Sequence, residues 1–117
     1  MNQVSEKQFP EEVLLRSFDK PVAVLFSAAW CGPCKVAKPR IERLSALHGF
    51  SIVSVDAGEE KGLAGFYSIR AVPTLAIFRD AKVVATVSGA GALADAPLIT
   101  FLNQHGFNIV VRPEMEF

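Results

Sequence analysis

Cysteine is scarce in this sequence, with two residues among 117. Two cysteines exclude a disulfide-stapled mini-protein, which needs several bridges in place of a core. Histidine is equally scarce, at His48 and His105. An excess of charge is missing too. Twelve basic residues balance twelve acidic ones, for a formal net charge of zero. That argues against a nucleic-acid binder, which would carry a basic footprint. The longest stretch without a charged side chain, residues 96–111, contains Asn, Gln, His, Gly and Pro and is no membrane span. Residues 1–10 lack the apolar core and small-residue cleavage site of a secretory signal. The expectation is a soluble, cytoplasmic protein, where thiols are usually kept reduced. What the chain has in plenty is apolar surface: half its residues are hydrophobic. That excludes a disordered chain and suffices for one domain with a single core.

The segments alternate in period. Pro10 opens a short helix carrying Val13, Leu14 and Leu15, and Asp19-Lys20-Pro21 stops it. Residues 22–27 form a continuous apolar run of strand length, as expected of a strand covered on both faces. Residues 32–48 place Ala37, Ile41, Leu44 and Leu47 at helical spacing, with Gly49 as the stop. Pro39 lies inside that helix, where it removes a backbone donor and predicts a kink. Residues 51–56 read as a second strand and 59–67 as a short helix weakened by Gly62 and Gly65. Residues 74–79 and 82–88 are two strands separated by Asp80-Ala81, a hairpin spacing. Residues 93–104 form a last helix, with Leu98, Ile99, Phe101 and Leu102 as core candidates and Gly106 closing it. Residues 2–5 offer a further edge strand. The pattern predicts an α/β fold with parallel strands at the front and an antiparallel hairpin at the back. No repeat, low-complexity segment or linker interrupts it.

The chemistry is concentrated in Trp30-Cys31-Gly32-Pro33-Cys34-Lys35, between the buried strand and the Pro39-containing helix. A cysteine at a helix N-terminus meets free backbone N–H groups and the positive end of the helix dipole, both of which favour the thiolate. A second cysteine one turn later is within reach of a mixed disulfide formed at the first. Cys31 is therefore read as an exposed nucleophile and Cys34 as a buried resolving thiol, the parts needed for thiol–disulfide exchange. Pro33 presets the first helical turn. Three other readings fit less well. A zinc site needs about four ligands, and no histidine pair at finger spacing joins the two cysteines. Attachment of c-type haem needs a histidine after the second cysteine, where Lys35 stands. Two inert core cysteines would not need Trp before them and Gly-Pro between them. His48 and His105 read as helix-end residues.

These residues resemble the thioredoxin family. The resemblance rests on residues 30–35, on Pro39, on the run Tyr67-Ser68-Ile69-Arg70-Ala71-Val72-Pro73-Thr74 and on Gly89 after the hairpin, across about residues 10–105. It implies a thioredoxin fold: a central mixed parallel and antiparallel sheet flanked by helices on both faces. It implies a cis Val72–Pro73 bond facing the cysteine pair. It also implies Cys31 and Cys34 as the catalytic pair and redox disulfide, supported by Trp30, Gly32, Pro33 and Lys35. The implied substrate-binding surface is Trp30, Ala71, Val72, Pro73, Gly89 and Ala90, where backbone would pair with an extended substrate segment. Residues 1–107 form the expected domain. Residues 108–117 are an extension, packed on the domain through Ile109, Val110 and Val111 or partly disordered.

The sequence departs from the family where a buried acid is usual, six positions before the first cysteine. Leu25 stands there, and Ser54 stands where the accompanying lysine is expected. Losing both together is coherent, because one buried charge without the other is costly. The expected consequence is slower resolution by Cys34 near neutral pH. Asp56, two residues after Ser54, is a candidate substitute for the acid or a solvated strand end. Ser27 and Ala29 lighten the surface beside Cys31, and Lys35, Lys38 and Arg70 bias it towards acidic partners.

The leading function is reduction of protein disulfides by the Cys31/Cys34 pair, with no cofactor or metal. Its substrates are disulfide-containing proteins, and its electron donor is thioredoxin reductase or an equivalent. The expected state is a monomer, with a weak dimer as the alternative, and neither nucleic acid nor membrane as a partner. A binding or chaperone-like module on the same fold is the second reading. A dedicated oxidant or isomerase is the third, and Gly-Pro between the cysteines fits it less well.

Overall fold

The computed structural model describes residues 1–111. Its four strands, β1 (Val22–Ser27), β2 (Ile52–Asp56), β3 (Thr74–Arg79) and β4 (Lys82–Ser88), form one sheet in the order β2-β1-β3-β4. β2 runs parallel to β1, while β3 and β4 are antiparallel to their neighbours. The sheet is therefore mixed, as the alternation of periods predicts. The helices are α1 (Gly32–His48), α2 (Lys61–Phe66) and α3 (Asp95–Gln104), preceded by a helical stretch over Pro10–Leu15 and Arg16–Phe18.

The period-two alternation of β1 sorts the core into two layers. Ala23 and Leu25 face α1 and α3, in a cluster with Ala37, Ile41, Leu44, Leu98 and Leu102. Val24 and Phe26 face the other side, against Phe9, Val13 and Leu63 of the N-terminal segment and α2. Tyr67 closes that layer with ring contacts to Phe9, Phe66 and Phe78, and burial pushes its phenol above the usual ionisation range. β1 and β3 are buried on both faces, whereas edge strand β4 alternates exposed and half-buried residues.

Local chemistry sets the boundaries. α1 ends at Gly49, whose φ of 70° is the left-handed geometry glycine adopts without strain. The helix runs as one element through Pro39. Asp80 and Ala81 form the hairpin with φ of 53° and 64°, unusual for non-glycine residues. Ser17 pins the turn: its carbonyl accepts the Asp80 N–H at 2.9 Å and its hydroxyl accepts the Ala81 N–H at 2.7 Å.

Some boundaries differ from the sequence reading. The edge strand expected at residues 2–5 is a single bridge between Gln3 and Ser54, with Val4 turning into the core. α3 begins at Asp95, so Leu93 is buried from a preceding turn rather than from the helix. Beyond α3, Ile109 enters the core and its backbone is clamped by Asn103, which accepts its N–H at 2.6 Å and donates to its carbonyl at 3.1 Å. Val110 is exposed instead of packed, because only one of three consecutive side chains can face the core here. Residues 112–117 of the expected extension lie outside the described residues.

Candidate active site

The chain leaves β1 at Ser27, turns through Ala28 and Ala29, and enters α1 at the cysteine pair. Cys31 is the N-cap of α1, with φ −88° and ψ 114°, and Pro33 follows in the first turn. Its sulfur accepts the backbone N–H of Cys34 at 3.2 Å. That is the role an N-cap oxygen usually plays, and it places a free helix donor on the Cys31 sulfur. The two cysteines are joined as a disulfide with Cα atoms 5.3 Å apart.

Three further segments converge on the pair. The Val72–Pro73 bond is cis, and the Val72 carbonyl oxygen lies 3.6 Å from Cys31 Sγ. The Gly89 N–H donates to the Pro73 carbonyl at 2.9 Å, which brings the loop after β4 beside the Pro73 loop. Gly89 has φ 95°, a geometry that needs glycine. Ala90 is tied to α1 through Arg40, which donates to its carbonyl at 3.2 Å. The Thr74 hydroxyl donates to the Ala71 carbonyl at 2.6 Å and, its one proton so used, accepts from the Ser88 hydroxyl at 2.7 Å. Trp30 stands out from the surface at 75% exposure. Gly58 gives its indole room: a Cβ at Gly58 would lie 3.3 Å from Trp30 Nε1.

The structure thus brings together Trp30, Cys31, Cys34, Ala71, Val72, Pro73, Gly89 and Ala90. Gly32, Pro33 and Lys35 lie exposed on the first turn of α1. One expectation needs correction. Cys31 is not the exposed member of the pair: the two cysteines are 4% and 3% accessible. Ala28 and Val72 pack over them, and each sulfur is covered by the other. Sequence reasoning also missed Arg40 and Ala28. Arg40 acts on Ala90, 50 residues away, so no local signal marks it, whereas Ala28 covers the nearby pair as a small residue in the turn after β1.

Beneath the pair the structure is apolar. Leu25 is fully buried on the α1 face of the sheet, and its partner across β2 is Ser54. The Ser54 hydroxyl is buried without a hydrogen bond. Asp56 pairs with Ser27 at the end of the ladder, and its Oδ1 accepts the N–H groups of Gly58 at 2.8 Å and Glu59 at 3.1 Å. It is a turn cap. His48 lies at the far end of α1 and His105 at the C-cap of α3, both away from the pair. Among the described residues, no group of three or more His, Cys, Asp or Glu is gathered to hold a metal ion. Nor is any helix among them long and apolar enough to cross a membrane.

A disulfide at a helix N-terminus, with a backbone donor on one sulfur and an exposed tryptophan beside it, can be opened by an attacking thiolate, and the resulting dithiol can in turn reduce another disulfide. The class of protein defined by this site and fold is a thiol–disulfide oxidoreductase. The thioredoxin family model matches residues 1–104. The chain is 36% identical over 104 residues to thioredoxin 1 of Synechococcus elongatus, covering 87% of this chain and 94% of that protein. It is 39% identical over 92 residues to the thioredoxin of Rhodospirillum rubrum, covering 77% and 86%. Among solved structures, Chlamydomonas reinhardtii thioredoxin f2 superposes with a TM-score of 0.78 at 29% identity, covering 91% of this chain and 96% of that one. The chain belongs to the thioredoxin family. With the cysteine pair present at disulfide distance, the binding-module reading is not favoured.

Proposed function

We infer that the protein reduces disulfides in other proteins, with Cys31 as the attacking thiolate and Cys34 as the resolving thiol. Cys31 Sγ attacks one substrate sulfur, forming a mixed disulfide and releasing the other sulfur as a thiolate. Cys34 then gives up its proton and attacks Cys31 Sγ. The Cys31–Cys34 disulfide forms and the second substrate thiol leaves. Two electrons and two protons pass to the substrate in total. An electron donor such as thioredoxin reductase returns them, and within this chain the cysteine pair itself carries the two electrons.

The observation that carries this assignment is the Cys34 N–H donated to Cys31 Sγ. A donor aimed at a sulfur favours its anionic form, so Cys31 rather than Cys34 is the thiolate. The surface formed by Trp30, Ala71, Val72, Pro73, Gly89 and Ala90 would hold the substrate segment. Lys35 adds a positive charge to the first turn of α1. The working assembly in this reading is a cytoplasmic monomer.

Trapping tests the assignment. Reduced Cys34→Ser, mixed with a disulfide-containing protein, should accumulate a covalent adduct at Cys31, and Cys31→Ser should accumulate none. Equal adducts from both variants would reverse or remove the assigned roles.

A further inference from the structure

A groove of about 330 Å³ runs alongside the cysteine pair, between Trp30 and the loop before Pro73. Its walls include Ala57, Ala71 and Val72, and its charged members are Lys61 on α2 and Arg70. No acidic residue lines it. That is unusual placement in a chain whose formal charge is zero. Both cations are exposed, and among the described residues neither takes part in an ion pair or hydrogen bond. Glu6, whose carboxylate lies beside Gly62 on α2, and Asp56, Glu59 and Glu60, before α2, are not among the residues that line the groove. The Asp56 carboxylate is already engaged by two backbone N–H groups. Val72 belongs both to the groove and to the cluster around the disulfide, and Trp30, on the groove wall, directly precedes Cys31. A segment whose cysteine sits at Cys31 would therefore place a neighbouring side chain in the groove.

We propose that Lys61 and Arg70 make this groove a specificity site for an acidic side chain flanking the target cysteine of a protein substrate. The proposal rests on the disulfide-reducing function inferred above and names its preferred substrates. An apolar floor with two unpaired cations at its edge accepts the stem and carboxylate of Glu or Asp, and repels Lys or Arg.

The test uses two peptide disulfides that differ only in a Glu or a Lys beside the cysteine. The reduced protein is mixed with each, and the second-order rate of peptide thiol release is measured. The Glu peptide should react about fivefold faster at low salt, the scale of an exposed charge contact. The preference should shrink in about 0.5 M salt, where screening is strong. In Lys61→Glu/Arg70→Glu the order of the two peptides should invert. Because the readout is a ratio within one sample, a partly folded variant does not disguise it. Equal wild-type rates, or a preference unchanged in the double variant, would overturn the proposal and leave the disulfide-reducing reading standing. Reduction of neither peptide by the wild type would overturn both.

Discussion

The cysteine pair lies between two unlike regions. On the rim stand an exposed tryptophan, two cations without partners among the described residues, and loops whose backbone groups approach the sulfurs. On the α1 face of the sheet the buried cluster is apolar throughout, with Leu25 in its middle and the unbonded hydroxyl of Ser54 opposite. The difference assigns the tasks. Among the described residues the cluster beneath the pair is made of apolar side chains, so in the proposed mechanism charge and recognition fall to the rim. In the mechanism proposed above, the proton that Cys34 loses during resolution would go to water or to the departing substrate thiolate.

Placing a charge in the floor should have the largest effect. Leu25→Asp buries a carboxylate with no partner and should cost about 3–5 kcal/mol at pH 7, read from urea unfolding. Burial raises the folded-state pKa of such a group, so the neutral acid is tolerated better. The ionisation part of the penalty should vanish below the unfolded value near pH 4 and grow as pH rises, while the loss of the buried leucine remains at every pH. Turnover should also acquire a new ionisation near neutral pH. A turnover profile identical to that of the wild type would refute the idea that the floor limits resolution.

Adding a cation opposite that acid is the next step. Leu25 and Ser54 are register partners across β1 and β2. Leu25→Asp/Ser54→Lys should therefore recover about 1–3 kcal/mol relative to the sum of the single variants. Strict additivity in the double-mutant cycle would show that the two sites do not meet.

On the rim the changes are smaller. Asp56→Ala removes the acceptor for two backbone N–H groups and should destabilise by about 1 kcal/mol, with no change in the pH profile of turnover. Gly65→Ala acts in the opposite direction. A Cβ there meets nothing within 4 Å, so the helix-propensity gain of about 0.5–1 kcal/mol should appear as a raised Tm. A lowered Tm would mean that α2 needs the glycine for its own backbone.

Much of this was legible in the sequence because it is local. β1, β3, β4 and α1 start and stop at the residues that apolar runs, turn chemistry and Gly49 indicate. The cysteine motif marked itself by spacing and by its place between strand and helix. What depends on distant contact was hidden. Part of the burial of Cys31 comes from Val72, 41 residues away, which no local pattern reveals. A strand at residues 2–5 was a reasonable expectation from apolar Val4, but Val4 turns inward to join Phe9 and ends the pairing after one bridge. The role of Ile109 depends on the Asn103 side chain holding the backbone after α3. Asp56, left open between a substitute acid and a strand end, is occupied by the turn it caps.

The central claim is that two sulfurs at the head of α1 carry the activity. The direct measurement is reduction of a protein disulfide with dithiothreitol as electron source, comparing wild type with Cys31→Ser. Loss of all rate above the dithiothreitol background is the predicted result. Equal rates for the two proteins would contradict it.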